Sequence, residues 1–280
     1  MNSDEHDAEY ILGTHEDEAF RLGLQHSLWT EHAHRIWKRA RIGFGSRVID
    51  AGCGPGFATL DLSRLVGSVG HVTALEASPV FVESLKETLA KQGVPGIDSS
   101  NISVQQADLQ DVSLEPESHD AAYLRWVLCF IPDVLAALKN LSTALKPGGR
   151  IAIQDYANFR GSLTLFPRSE AFEELATTFH DGWMASGGNS RIGIELPSLL
   201  RQAGFEVEDV KLMSFAVRPQ DSLWRWPESF FPIVAKSLVE KGKLAESTRQ
   251  EYLSDWRSRS QSKDSLFCTP SIIEVIGRKL

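Results

Sequence analysis

Along residues 18–42 the apolar positions Leu24, Leu28, Trp29, Ile36, Trp37 and Ala40 recur at the spacing of one helix face, which predicts one or two amphipathic helices ahead of the core. The period then changes. Arg47–Ala51 is a short β-branched run that stops at a glycine cluster, Phe57–Val66 has helical spacing, and Gly67 with Gly70 marks the turn out. His71–Glu76 reads as a second strand. Ser78 and Pro79 then supply a helix start, because serine caps free amides and proline needs no partner at the first helical position. Gly93 is the expected stop of that helix. Further strands are predicted over 102–105, 121–124 and 150–155, with a helix over 133–145 and a turn at Lys146-Pro147-Gly148-Gly149.

Strands that alternate with helices in this way predict βαβ units, hence an α/β fold whose parallel sheet is covered on both faces. Right-handed crossovers place the carboxyl ends of the strands on one edge, where ligands bind. Beyond residue 155 the alternation loosens. Helical spacing is found over 170–179 and 196–203, a strand is expected over 206–217, and 219–263 is largely helical. A closing strand is predicted over 267–278. The expected organisation is an N-terminal helical cover (1–45), a ligand-binding core (46–156), an insertion (157–194), a return to the core (195–218), a helical insertion (219–263) and a closing strand (264–280).

Composition narrows the partners. The 280 residues are 42% hydrophobic and 24% charged, as for one α/β domain with insertions. A net charge of −8 repels phosphate backbones, so no nucleic-acid partner is expected. The basic stretch from Arg35 to Arg41 has helical spacing and reads as a solvated face. Cys53, Cys129 and Cys268 are odd in number and lack CxxC spacing, which disfavours disulfides and zinc and fits a reducing compartment. A polar N-terminus and the lack of an ~18-residue apolar run predict a cytoplasmic protein without a membrane span.

The candidate chemistry begins at Val48-Ile49-Asp50-Ala51-Gly52-Cys53-Gly54-Pro55-Gly56, between a strand and a helix. Glycine at 52, 54 and 56 lets the backbone turn tightly and approach a ligand closely. A nicotinamide site would need glycine at 57 or 59, where Phe57 and Thr59 stand, and the GKS or GKT of a P-loop is absent. Asp50-x-Gly52-x-Gly54-x-Gly56 resembles motif I of the class I S-adenosylmethionine-dependent methyltransferases. The resemblance implies a Rossmann-like methyltransferase fold: a seven-stranded, mostly parallel sheet with helices on both faces, N-terminal helices and a helical lid. It implies that Asp50, Gly52, Cys53, Gly54 and Gly56 receive the amino-acid part of S-adenosyl-L-methionine, the product being S-adenosyl-L-homocysteine. Glu76, with Ala77 beside it, would hold the ribose hydroxyls, and Asp108 with Leu109 would border the adenine. Residues 123–128 followed by Ile131-Pro132-Asp133 are similar to the family's fourth-strand segment, which adds Arg125 and Trp126 to the cofactor set, and residues 146–149 are similar to its turn before the fifth strand. Tyr10 and Gln25 resemble positions that close over the cofactor.

Departures from related subfamilies refine the reading. The Asn/Asp-Pro-Pro-Tyr/Phe signature of amino-methylating enzymes is absent. Arg125-Trp126 offers no strand-end aspartate for magnesium, Asp155 alone is a poor site, and His32-Ala33-His34 lacks the i, i+4 pairing of a metal site, so no metal is expected. Asp155, Tyr156 and His180 are the candidate general bases, with His26 and His32 as further histidines. Phe159, Phe166, Phe172, Phe179, Trp183, Trp224, Trp226, Phe230 and Phe231 of the two insertions either line an apolar acceptor pocket or form the lid's own core. The function this predicts is methyl transfer to O, N or C of a small, partly hydrophobic acceptor. A catalytically silent cofactor-binding partner subunit and an RNA or protein methyltransferase are the alternatives, the charge and the lid opposing the second. Monomer and homodimer are both open.

Overall fold

A computed structural model of the chain describes residues 16–91 and 99–280; Tyr10 and Gly93 lie outside them. The chain enters through α1 (Glu16–Arg39), a single helix. Its Trp29, Ala33, Ile36 and Trp37, at i, i+4, i+7 and i+8, are all buried, as is Ala40 just past its end. β1 (Arg47–Ala51), α2 (Phe57–Val66) and β2 (His71–Glu76) occupy the predicted residues. α3 (Pro79–Ala90) begins with proline, and the Phe81 amide donates to the Ser78 hydroxyl. β3 (Ile102–Gln106), β4 (His119–Arg125) and α4 (Val134–Ala144) follow, Asp133 capping α4 by accepting from the Ala136 amide at 2.9 Å.

β5 (Leu145–Asn158) corrects one expectation: the Lys-Pro-Gly-Gly segment is not a separate turn but part of the strand. It is absorbed as a register irregularity opposite His119 and Ala121 of β4. The chain continues through α5 (Phe159–Ser162), β6 (Thr164–Phe166), α6 (Glu170–Ala185), α7 (Ile192–Gln202), β7 (Phe205–Met213), β8 (Ala216–Val217), α8 (Arg225–Glu240), α9 (Glu246–Ser260), β9 (Leu266–Cys268) and β10 (Ser271–Lys279).

Seven strands form one sheet in the order β3-β2-β1-β4-β5-β10-β7. β1 to β5 run parallel, and β10 lies antiparallel between β5 and β7. The order reverses between β1 and β4, which opens a crevice at the carboxyl ends of the strands. Alternate residues feed opposite faces. Val48, Val72, Ala121, Tyr123, Ala152 and Ile276 pack with α1 and α2, while Ile49, Leu75, Leu124, Ile153 and Val275 join α4 and α7 in the larger core. A buried polar chain fastens α1 to its face. The Tyr123 hydroxyl donates to Gln154 Oε1 at 2.8 Å, Gln154 Nε2 donates to Glu274 Oε1 at 2.7 Å, and Arg39 pairs with both Glu274 and Asp209.

The two strands predicted over 206–217 and 267–278 each divide. β8 and β9 leave the main sheet and join β6 in a three-stranded antiparallel sheet of order β6-β9-β8. Both breaks fall at one level, where the Thr269 amide donates to Phe215 O at 2.9 Å and Pro270, lacking an amide, ends the pairing. The insertion helices pack on this small sheet. Of the insertion aromatics, Phe159, Phe172, Phe179, Trp183, Trp224, Trp226, Phe230 and Phe231 are all buried, in one apolar cluster continuous with the larger core of the sheet. Phe172 meets Phe231 edge-on at 4.9 Å and Trp224 stacks on Trp256 at 4.8 Å. Phe166 is exposed. Among the described residues no helix is long and apolar enough to cross a membrane.

α7 reaches β5 through Gly193, where a Cβ would stand 2.7 Å from Tyr156 O and 3.0 Å from Asp155 O. Glycine to alanine in a helix ordinarily stabilises by about 1 kcal/mol. Here Gly193→Ala is expected to destabilise by about 1–3 kcal/mol, the scale of overpacking. Urea unfolding checks this; an unchanged or higher midpoint would show that α7 and β5 separate freely.

Candidate active site

The loop from β1 to α2 passes through three left-handed glycines: Gly52 at φ +72°, Gly54 at +54° and Gly56 at +89°. Two of them are walled in. A Cβ at Gly52 would lie 2.4 Å from Val127 Cγ2, and one at Gly56 would lie 2.3 Å from Leu85 Cδ1. A Cβ at Gly54 meets nothing within 4 Å. The loop is thus clamped at both ends and bare in the middle.

Glu76, at the carboxyl end of β2, holds that bare residue. Its Oε2 accepts from the Gly54 amide at 2.8 Å and its Oε1 from the Ser78 amide at 2.9 Å. Burial raises the Glu76 carboxyl above its usual range, and the amides it accepts from oppose the shift. Ala77 beside it is exposed. Asp50, buried beneath the loop, accepts from the Thr59 hydroxyl of α2 at 2.6 Å; burial pushes its carboxyl up to about 6. Cys53 is buried, which drives its thiol up.

Asp108 is exposed just past β3 and accepts from the Gln110 amide at 2.8 Å. Leu109 is buried in the larger core, presenting little surface to a ligand. At the end of β4 stand Arg125 and Trp126. Trp126 adopts φ +55°, a conformation that costs a bulky residue of order 1–3 kcal/mol and concentrates at functional sites. Its amide donates to Gln154 O at 2.9 Å, and its ring lies near-parallel to Tyr156 at 6.3 Å. The Arg125 guanidinium stands 5.1 Å over the Trp126 ring and donates from Nη2 to His26 Nδ1 at 2.8 Å. Arginine only donates, so His26 Nδ1 is the bare nitrogen and Nε2–H donates to Asp61 Oδ2 at 2.9 Å. Arg125 Nη1 and Trp126 Nε1 are buried without a hydrogen-bond partner among the described residues.

Gln25 of α1 is buried, and its Oε1 accepts from Trp226 Nε1 of α8 at 2.9 Å and from Arg21 Nη1 at 2.7 Å, so it joins α1 to the second insertion. The candidate bases are differently placed. Asp155 is fully enclosed, accepting from the Cys129 amide at 3.2 Å and the Tyr156 amide at 2.8 Å; burial raises it to about 6. Tyr156 packs between Trp126 and Trp183. His180 on α6 is half-buried, with Nε2 2.9 Å from the Ser190 hydroxyl. His32 packs against Trp29 and Phe215. Asp61 escaped the sequence reading: it sits mid-helix in α2, and nothing local marks it as the partner of a histidine 35 residues away.

A glycine-clamped loop, a strand-end carboxylate and a parallel sheet with one antiparallel interior strand define a Rossmann-like methyltransferase fold. Comparison with known proteins agrees. Residues 49–153 match the family described as methyltransferase domain. Over 127 residues the chain is 32% identical to a demethylmenaquinone methyltransferase of Staphylococcus aureus, covering 45% of this chain and 48% of that one. The chain thus spans about half the length of the curated relatives it matches. Among solved structures, the YcgJ protein from Bacillus subtilis superposes with a TM-score of 0.57 at 17% identity, covering 89% of this chain and 99% of that one. The [4+2]-cyclase SpnF does so at 0.54 and 18%, covering 89% and 80%. At such identities these two show the fold alone. Residues 49–153 are thus similar to a methyltransferase domain, and the sheet and helices around them have the Rossmann-like fold of the two solved structures.

Two outcomes follow from the loop. Gly54→Ala is expected to cost only about 1 kcal/mol of stability, the penalty of a left-handed alanine, yet to weaken S-adenosylhomocysteine binding at least tenfold by calorimetry. Equal affinity in the variant would remove Gly54 from the site. Asp50 holds a proton more strongly folded than unfolded, its folded value of about 6 standing above 3.8, so its contribution to stability falls as pH rises from about 4 to 6. Asp50→Asn still accepts from Thr59 and is expected to exceed the wild type in urea midpoint at pH 7.5, the gap closing towards pH 4. A gap independent of pH would refute the assignment.

Proposed function

We propose that the chain transfers a methyl group from S-adenosylmethionine to O, N or C of a small, partly hydrophobic acceptor, without a metal. The observation that carries this reading is Gly54, the unfilled position in a loop whose other glycines are walled in, held open by the Glu76 carboxylate. A cofactor fits there on chemical grounds. Each Glu76 oxygen keeps a lone pair for a ribose hydroxyl after accepting its amide, and Asp108 stands at the adenine end of the strand edge. A bound sulfonium would supply an activated methyl carbon: an electron pair of the acceptor would bond to it as the carbon–sulfur bond breaks, leaving a neutral thioether, and the proton displaced from the acceptor would pass to a base or to water.

The protein's part is alignment and exclusion of water. Orientation of this kind is worth roughly 7–11 kcal/mol in favourable systems. α1 and the insertions 157–194 and 219–263 serve as covers, joined through Gln25 and Trp226. Trp126, Val127, Phe130 and Phe215, only partly buried around Tyr156 and Trp29, are the apolar surface we assign to the acceptor. Of the candidate bases Tyr156 and His180 retain that role in this proposal. Asp155, enclosed and tied to two amides, anchors the segment after β4 instead. The Staphylococcus relative is named for a quinone substrate, which supports a ring-bearing acceptor, and the net charge of −8 disfavours nucleic acid.

Glu76→Ala is expected to weaken S-adenosylmethionine binding by about 1.5–3 kcal/mol through lost charge-assisted hydrogen bonds, read by calorimetry. Transfer of labelled methyl to a panel of hydroquinones, phenols and amines tests the acceptor class. Binding without transfer to any of them would favour a silent cofactor-binding subunit.

A further inference from the structure

We propose that Asp61, His26 and Arg125 form a positioning relay that fixes the Arg125 guanidinium as the receiver of the cofactor's methionine carboxylate, an inference that rests on the cofactor reading above. The relay joins three elements. Asp61 of α2 accepts from His26 Nε2 at 2.9 Å and from Arg64 Nη1 at 2.7 Å, so its carboxylate is held in place from two sides. That bond sets the proton of the neutral imidazole on Nε2 and leaves Nδ1 bare towards Arg125 Nη2, 2.8 Å away. Burial lowers the proton affinity of His26, with Asp61 opposing and Arg125 adding to the effect, which keeps the ring in the form that can accept. Phe57, the first residue of α2, lies near-parallel to the His26 ring at 6.1 Å and limits its rotation.

The consequence falls on Arg125. A guanidinium is always charged and presents a planar fork of donors suited to a carboxylate. One of its terminal nitrogens is committed to a neutral imidazole, and the other, Nη1, is buried and unpartnered among the described residues. A buried cationic donor left unpaired is costly. The nearby carboxylate whose titration Arg125 influences is that of Asp50, and it is already engaged by Thr59. An anion is therefore wanted beside the glycine loop. In S-adenosylmethionine the sulfonium and ammonium are cations that Arg125 repels and the adenine is neutral. The carboxylate is the one anionic group the cofactor brings. His26 is thus a positioning residue, acting through Arg125.

Titration calorimetry with S-adenosylhomocysteine and with 5′-methylthioadenosine separates this from a structural role, because the second ligand shares the thioether and adenosine but has no carboxylate. The wild type is expected to prefer S-adenosylhomocysteine strongly. Arg125→Gln is expected to weaken that ligand roughly ten- to a hundredfold while leaving methylthioadenosine within about threefold. His26→Phe, which keeps the packing on Phe57 but offers no acceptor, should behave alike, and His26→Gln, which restores an acceptor and a donor, should recover most of the preference. Equal loss of both ligands in the variants, or undiminished S-adenosylhomocysteine affinity, would overturn the relay. So would a wild type that binds the two ligands equally, a result needing no variant. A wild type that binds neither would sink the cofactor reading and the relay with it.

Discussion

Three left-handed residues within five, Gly52, Gly54 and Gly56, set the course of the backbone between β1 and α2, and the other parts of the site are arranged around that course. Only glycine passes through such a run without a side-chain penalty. Because Val127 closes on the first and Leu85 on the last, the loop cannot relax, and the Gly54 amide is delivered to Glu76. β2, α3 and the segment after β4 are thereby referenced to one short stretch of backbone.

The second organising feature is that α1 is not an appendage. Its far end is locked to the sheet by the chain from Tyr123 through Gln154 and Glu274 to Arg39. Its near end is bonded to α2 and β4 through His26 and to α8 through Gln25. The insertion helices pack their aromatics on one another and on the small sheet, and through Trp183 and Phe159 on Tyr156 of β5, so they share one continuous core with the main sheet.

Much of this is legible in the amino-acid sequence. β1, α2 and β2 were placed to the residue because each combines a clean period with a glycine or proline boundary. The seven-stranded, mostly parallel sheet followed from a resemblance resting on five motifs, whereas the order of its strands is seen only in the fold. What escaped was set by distance in the sequence. The division at Phe215 and Thr269 depends on two strands that meet only in the folded protein, and 206–217 reads as one unbroken strand until its partner is known. Asp61 is an ordinary helix acid until α1 is laid across it. The insertion aromatics have the same composition whether they face one another or a ligand, so their burial had to be observed. Asp155 showed the same limit: a strand-end acid looks catalytic in a sequence, and its enclosure, with two amides already on its oxygens, is visible only in the fold.

The interior position of β10 has a consequence for how the chain reaches this state. Residues 271–279 wedge between β5 and β7, and among the described residues β7 has no other neighbour in the sheet. During vectorial synthesis the first five strands can zip together as they emerge, but β7 must wait, its ladder groups unmet, until the strand made after it arrives. The pairing of β5 with β10 spans more than a hundred residues, and closing such a contact is slow compared with local structure. A ribosome paused before residue 271 therefore holds a nearly formed parallel half-sheet beside a strand still waiting for its partner.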